Sequence, residues 1–325
     1  MKIAVTGASG HIGNNVCREL LSRGHAVTAL VHKDDLALRD LKVVVVKGDV
    51  SDPDSLDILM HDADAVCHLA AIISITGNQG GRVNNINVGG TANVIDSALR
   101  NGVKRMYHVS SIHAHKTPGV EGVMNEQSPY ADLSDFAYDQ SKAAGEQLML
   151  AARGKGLATT IFNPTGVVGP HDYKPGLSGQ LVVRLCKGKI PMLTPLGFDW
   201  VDVRDVAWAV AEAIERRVEN EKFMISGAWC SVKEFAEIVA KCSGKKAPKF
   251  IAPFWLSRLG VPIIGAYSKL TGSDPLYTYE SLEVIEQGCK NVSSANAKKI
   301  LGYQPRAIET TLSDTVNWFK TNHYL

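Results

Sequence analysis

The sequence is short of several things, and each shortage removes a class of function. Charge of one sign is missing: 35 Lys and Arg face 33 Asp and Glu over 325 residues, a formal net charge of +2. Near-neutrality gives no global attraction for nucleic acid or for an anionic membrane, and no nucleic-acid partner is expected. Cysteine pairs are missing too. Cys17, Cys67, Cys186, Cys230, Cys242 and Cys289 show no C-x-x-C spacing and no Cys/His cluster. That argues against a zinc site or a disulfide framework and for reduced, mostly buried thiols, with no bound metal. Long apolar runs are absent. The best stretch, Phe254 to Leu270, is broken by Arg258, Pro262 and Lys269, so neither a membrane span nor a membrane partner is expected. No cleavable leader pattern precedes the first strand-like segment, and the expected location is cytoplasmic.

What is present is a globular composition, 45% apolar and 21% charged, long enough for one large domain or two fused ones. Strand-like and helix-like segments alternate through the first half. Ile3 to Thr6, Ala26 to Val31, Ala65 to Leu69, Met106 to Ser110 and Ala158 to Phe162 read as strands. Val43 to Val46, four valines in a row, suits a strand buried on both faces. Ile12 to Ser22 has helical apolar spacing and stops before Gly24; Val88 to Leu99 and Phe136 to Ala152 are further helices. Asp52-Pro53 opens another, with Asp52 as N-cap. This alternation predicts an α/β protein with a doubly wound parallel sheet. It weakens after Asn163. Residues 1–163 are therefore read as one domain, with 200–225 returning to its sheet, and 164–199 with 226–325 as a smaller C-terminal substrate lobe. Trp200, Trp208, Trp229 and Trp255 are read as core residues.

Two groups of residues carry chemistry. The first is Gly7-Ala8-Ser9-Gly10-His11-Ile12-Gly13, three glycines at a strand-to-helix junction. Backbone can turn sharply there and approach a pyrophosphate with no Cβ in the way. The N–H groups opening the helix face the negative charge. The second is Tyr138-Asp139-Gln140-Ser141-Lys142, where a phenol and an ammonium four residues apart share one helical face. A free phenol titrates near ~10 and is a poor acid–base group at neutral pH; a close ammonium stabilises phenolate. Upstream, Val109-Ser110-Ser111 ends a strand on the side where such sheets bind ligands.

These motifs, in this order, resemble the extended branch of the short-chain dehydrogenase/reductase superfamily, of NAD-dependent epimerase/dehydratase type. The resemblance implies a Rossmann-type sheet and assigns roles by position. Ser111, Tyr138 and Lys142 match the catalytic serine, tyrosine and lysine, with Lys142 also on the nicotinamide ribose. Asp49, followed by Val50, matches the acid that bonds the adenine. Leu69-Ala70-Ala71 matches the small-residue segment along the cofactor, and Asn87-Val88-Gly89-Gly90-Thr91 matches the family's helix start. In Asn163-Pro164-Thr165-Gly166-Val167, residues Pro164, Gly166 and Val167 match the segment beside the nicotinamide. Relatives often dimerise through helices matching Val88 to Leu99 and Phe136 to Ala152, which implies a homodimer.

The position that carries a ribose-binding acid in NAD-preferring relatives is Val31, followed by His32 and Lys33. Basic groups there would pair with a 2′-phosphate, so NADP is the expected cofactor, with NAD as the alternative. Nucleotide-sugar enzymes of the branch place an arginine where this chain has Phe198, and a second basic group near Lys290. The lobe offers Leu193, Leu196, Phe198, Phe254, Trp255 and Tyr277 instead, which suits an apolar substrate. His113 and Phe198 are candidate substrate contacts. The expected activity is NADP-dependent reduction of a ketone or aldehyde, as in the dihydroflavonol-reductase-like group. The alternatives are a nucleotide-sugar epimerase or dehydratase, and a dinucleotide-binding sensor without catalysis.

Overall fold

Apolar side chains repeat at intervals of two and then of three or four from the first residues onward, and strand and helix follow in step. In a computed structural model, residues 1–271 and 277–325 are described. The chain begins β1 (Lys2–Thr6), α1 (His11–Ser22), β2 (Ala26–Val31), β3 (Val44–Lys47), α2 (Pro53–Met60) and β4 (Ala65–His68). It continues through α3 (Arg82–Asn84), α4 (Gly90–Arg100), β5 (Arg105–Val109), β6 (Val123–Met124), α5 (Ala137–Arg153) and β7 (Ala158–Pro164). Then come β8 (Gly166–Val168), α6 (Leu177–Cys186), β9 (Gly197–Asp202), α7 (Val203–Glu215), β10 (Lys222–Ile225) and β11 (Ala228–Ser231). The last elements are α8 (Val232–Ser243), α9 (Phe254–Thr271), α10 (Tyr279–Gln287), β12 (Asn291–Val292), α11 (Ala295–Leu301) and α12 (Ile308–Thr321).

Seven strands form a parallel sheet in the order β10-β7-β5-β4-β1-β2-β3. Alternate residues of β1 face opposite layers. Ile3 and Val5 meet Val16 and Leu20 of α1 and Val206, Val210 and Ile214 of α7. Ala4 meets Leu56 and Leu59 of α2, Val94 and Ile95 of α4, and Met149 of α5. The sheet is thus covered on both faces, the arrangement that parallel strands require. The chain runs outward from β1 to β3, then returns to β4 on the other side of β1. This reversal opens a crevice beyond the carboxyl ends of β1 and β4, where open sheets of this kind bind ligands. Asp52 caps α2 as expected, accepting from Asp54 N at 3.2 Å.

Three local expectations are corrected. The valine run forms β3, but β3 is the edge strand and pairs only with β2, so Val44 is 64% exposed. The 200–225 stretch returns only in part. Its helix packs on α1 and β10 joins the main sheet, but Trp200 lies in β9, which belongs to a three-stranded sheet of order β11-β9-β8. The place beside β7 is already taken by β10, and Thr165 N bonds to Ile225 O as the chain leaves for β8. The helix read from Val88 starts earlier, at Arg82, and passes through a π turn over Asn85–Gly89 before α4. Around the small sheet, α6, α8 and α12 enclose a separate core built on Trp200, Phe235, Leu312 and Phe319. Cys17, Cys67, Cys186 and Cys230 are buried free thiols; Cys242 and Cys289 are half-buried. No helix among the described residues is long and apolar enough to cross a membrane.

Candidate active site

The glycine turn follows β1 at the crevice, and the space around each glycine explains the residue. Gly7 has φ +69°, and a Cβ there would lie 2.6 Å from Ala70 N. At Gly13 a Cβ would lie 2.0 Å from Gly7 O, so the helix start rests directly on the turn. Gly10 occupies the N-cap position of α1. No side chain bonds the first N–H groups, and the first turn has no acid. Ile12 packs toward the core and His11 Nε2 bonds Pro170 O at 3.1 Å, so what these residues turn to the crevice is backbone. Ser9 stands beside them, half-buried. An uncapped helix N-terminus behind a turn with no room for a side chain fits a dinucleotide pyrophosphate.

The other side of the crevice is held by hydrogen bonds. Leu69 N and Ala70 N both donate to Thr6 Oγ1, at 3.3 and 3.4 Å, which draws Leu69-Ala70-Ala71 against the glycine turn. Asp49 accepts from Ser51 N and Ser51 Oγ, and its Oδ2 lies 3.3 Å from His32 Nδ1. Burial raises the Asp49 pKa, but the Ser51 bonds and the His32 charge outweigh it and hold the carboxyl below its ordinary value. Val50 is a packing residue, closing on Gly90, while its carbonyl accepts from Asn93 Nδ2. His32 and Lys33 are exposed after β2. Asp34 is engaged by Lys174 at 2.8 Å, and Asp35 by Arg39 and Lys47.

Ser111 ends the segment after β5, and Tyr138 and Lys142 stand on the first turns of α5. All three are buried. Burial pushes the Tyr138 phenol up, a hydrogen bond with Ser111 draws it down, and Asp139 raises it, for a net pKa above the ordinary value. Lys142 is not among the groups that shift this phenol. Its Nζ donates to Val109 O at 3.2 Å, and burial lowers its pKa from 10.5 to about 8, against the opposing charge of Glu146. In the protein alone the Lys142 ammonium thus bonds backbone, and burial holds the Tyr138 phenol above its ordinary value. His113 N donates to Ser111 Oγ at 3.2 Å, its ring lies 5.8 Å from that of Tyr138, and its Nδ1 is 3.2 Å from Asp139 Oδ1. Pro164, Gly166 and Val167 lie at the end of β7 and the start of β8. A Cβ on Gly166 would press on Asp199 O and the Trp200 ring.

Sequence reasoning missed two buried networks. One runs from the glycine turn to the catalytic helix. Thr91 Oγ1 donates to Asn87 O, so the 2.9 Å bond between His68 Nε2 and Thr91 Oγ1 must be donated by the imidazole. His68 Nδ1 then accepts from Thr6 Oγ1 at 2.7 Å. Burial lowers the His68 pKa to about 3, consistent with this neutral tautomer. Asn87 exchanges bonds with Ile72 and donates to Ser141 Oγ, which donates to Tyr138 O. The other network centres on Glu146, which has no exposure. Its Oε1 accepts from Asn163 Nδ2, which also donates to Ser111 O, and its Oε2 lies 2.9 Å from Lys222 Nζ. Glu146 sits four residues after Lys142, on the same helix face; that spacing was the available signal. Phe198, expected at the substrate, instead packs edge-on to Trp200 at 5.5 Å in the small sheet. Lys290 is paired with Glu121 at 2.8 Å. Trp255, expected in the core, is 65% exposed.

A parallel sheet with a glycine turn at its reversal point, and a serine, tyrosine and lysine beside the same crevice, defines a nicotinamide-dinucleotide-dependent enzyme class. Residues 3–226 match the NAD dependent epimerase/dehydratase family, and the chain belongs to that family. It is 29% identical over 330 residues to the "Sterol demethylase protein B" of Methylococcus capsulatus, covering 98% of each chain. A Synechocystis protein named "Putative dihydroflavonol 4-reductase" is 29% identical over 329 residues, covering 99% of this chain and 95% of the other. The UDP-glucose 4-epimerase of Thermotoga maritima superposes with a TM-score of 0.81 at 21% identity, over 99% of this chain and all of the other, which shows the shared fold.

Proposed function

We propose that the protein reduces a ketone or aldehyde on a small, largely apolar substrate, with NADP as the cofactor. The observation that carries this reading is the buried grouping of Ser111 after β5 with Tyr138 and Lys142 on the first turns of α5, where Lys142 Nζ bonds Val109 O. The cofactor supplies hydride; the chain's work is binding, orientation and proton transfer. Ser111 Oγ holds the carbonyl oxygen, Tyr138 gives its phenolic proton to that oxygen, and Lys142, held at the end of β5 by Val109 O, would bind the nicotinamide ribose. His113, braced by Asp139, stands beside Tyr138.

NADP is favoured because both acids that follow β2 are engaged by cations, while His32 and Lys33 stand exposed. A reductase is favoured over a nucleotide-sugar enzyme because neither position of the diphosphate clamp offers a free cation. Phe198 packs on the lobe core and Lys290 is held by Glu121. The names of the two relatives, one a sterol demethylase protein and the other a putative dihydroflavonol 4-reductase, support a substrate of this apolar kind.

Titration with NADPH and NADH, followed by nicotinamide fluorescence, tests the cofactor. UDP and dTDP should leave the melting temperature unchanged; a rise of several degrees would favour the nucleotide-sugar enzyme. On a substrate found by screening ketones and aldehydes, Tyr138→Phe should lower kcat by about a hundred-fold or more, and unchanged turnover would refute the mechanism.

A further inference from the structure

We propose that the outer face of α9 and the segment before it dock on an anionic lipid surface. The first observation is inverted burial. Ala252 and Ser257 face inward and are buried, while Trp255 and Leu259, one helical turn apart, are each 65% exposed. Phe250 and Ile251 are exposed just before them. This exposure is not fraying. Leu193 N donates to Phe250 O at 2.9 Å and Ala252 N to Leu193 O at 2.8 Å, which fixes the segment to the core of the lobe. A large aromatic and a leucine on one helix face, held outward by a pinned backbone, form a surface that water solvates poorly.

The second observation is charge. From Ile238 to Ser273 the sequence holds Lys241, Lys245, Lys246, Lys249, Arg258 and Lys269 and no acid. The rest of the chain, with 29 basic and 33 acidic residues, is net negative. Arg258 is paired with Glu286, but Lys245, Lys246 and Lys249 are exposed within the five residues that precede Phe250. Lysines bordering exposed Phe, Trp and Leu match an anionic headgroup layer over an acyl boundary. A second copy of the chain would have to meet this positive charge with its own. The arguments against a membrane span do not bear on a helix lying in the interface plane. α9 packs on α10, whose Glu280 accepts from Gly77 N and lies near Asp139 and His113. An apolar substrate taken from the lipid would enter one helix layer from the active site; this last step alone rests on the proposed reaction.

The full chain is mixed with vesicles of phosphatidylcholine, or of phosphatidylcholine with phosphatidylglycerol, and sedimented. Binding to the anionic vesicles, weakened by salt and accompanied by a blue shift in tryptophan emission that Trp255→Ser removes, is the expected result. Replacing Lys245, Lys246 and Lys249 by Gln should lower partitioning by about a hundred-fold, and Trp255→Ser with Leu259→Ser should abolish it. All five side chains are exposed, so the variants should keep the wild-type melting temperature. No sedimentation with either vesicle, or binding unchanged in both variants, overturns the proposal. So does a dimer that Trp255→Ser with Leu259→Ser converts to monomer. Cofactor titration in the absence of lipid reports separately on the proposed reaction.

Discussion

Lys222→Met tests whether the Glu146 carboxylate depends on its partner. Glu146 has no exposure, and Lys222 is the cation at its Oε2, 2.9 Å away. The neighbouring imidazole of His115 is no substitute. Its Nδ1 is committed to Ser128 O, and burial lowers its pKa, opposed by the Glu146 charge. Asn163 still donates to Oε1, so the variant keeps that partner. Removing one member of a buried pair costs about 3–5 kcal/mol, and the remaining amide bond places this case at about 3 kcal/mol. Urea unfolding of the wild type and the variant measures it. Adding Glu146→Gln should recover part of the loss, because a neutral amide in that place needs no cation beside it. A single variant within about 1 kcal/mol of the wild type, with no recovery in the double, would show that the pair does not hold this region together.

Lys142 gives a pH dependence of known sign. Its pKa is lowered in the folded state to about 8 from 10.5, so the unfolded chain binds more proton between those values and stability rises with pH across the window. Relative to Lys142→Met, the wild type should gain up to roughly 3 kcal/mol there, and parallel stability curves would count against it. Gly13→Ala drives a Cβ onto Gly7 O; the expected loss is about 2 kcal/mol or more in urea unfolding, together with NADPH binding. Lys33→Glu should weaken NADPH by about ten- to a hundred-fold while leaving NADH within a few-fold; equal effects on both would remove the 2′-phosphate argument.

The parts of this protein legible in sequence are those governed by short-range rules. β1, the glycine turn and α1 are contiguous, and only glycine tolerates the approach of Ala70 and Gly7 to that turn. Tyr138 and Lys142 share a helix, so their common face follows from spacing alone. The losses occurred where tertiary neighbours decide. The valine run reads as a buried strand because β-propensity is a statement about packing surfaces, and it cannot tell a central strand from the edge that β3 occupies. β9 reads like any strand of the main sheet; what diverts it is the prior claim of β10 on β7. The phenol's environment lies beyond the sequence for a related reason. Helical spacing brings Lys142 near Tyr138, but it does not reveal how deeply both are buried, or that Val109 O takes the ammonium.

Helix α5, which carries Tyr138 and Lys142, is held from two sides by buried polar groups. On one side, Thr6, His68, Thr91 and Asn87 pass hydrogen bonds in a single direction, and Asn87 hands on to Ser141 and the carbonyl of Tyr138. On the other, Lys222 and Asn163 hold Glu146, and Asn163 fixes the carbonyl of Ser111. The first network starts at the residue just before the glycine turn. The second ends at Ser111. A displacement of α5 would therefore disturb the glycine turn and Ser111 together, because buried polar groups stripped of their partners are expensive. This accounts for polar residues, threonines, asparagines and a glutamate, at buried positions around α5. They set the register of the site, in which fractions of an ångström decide whether proton donor and carbonyl meet.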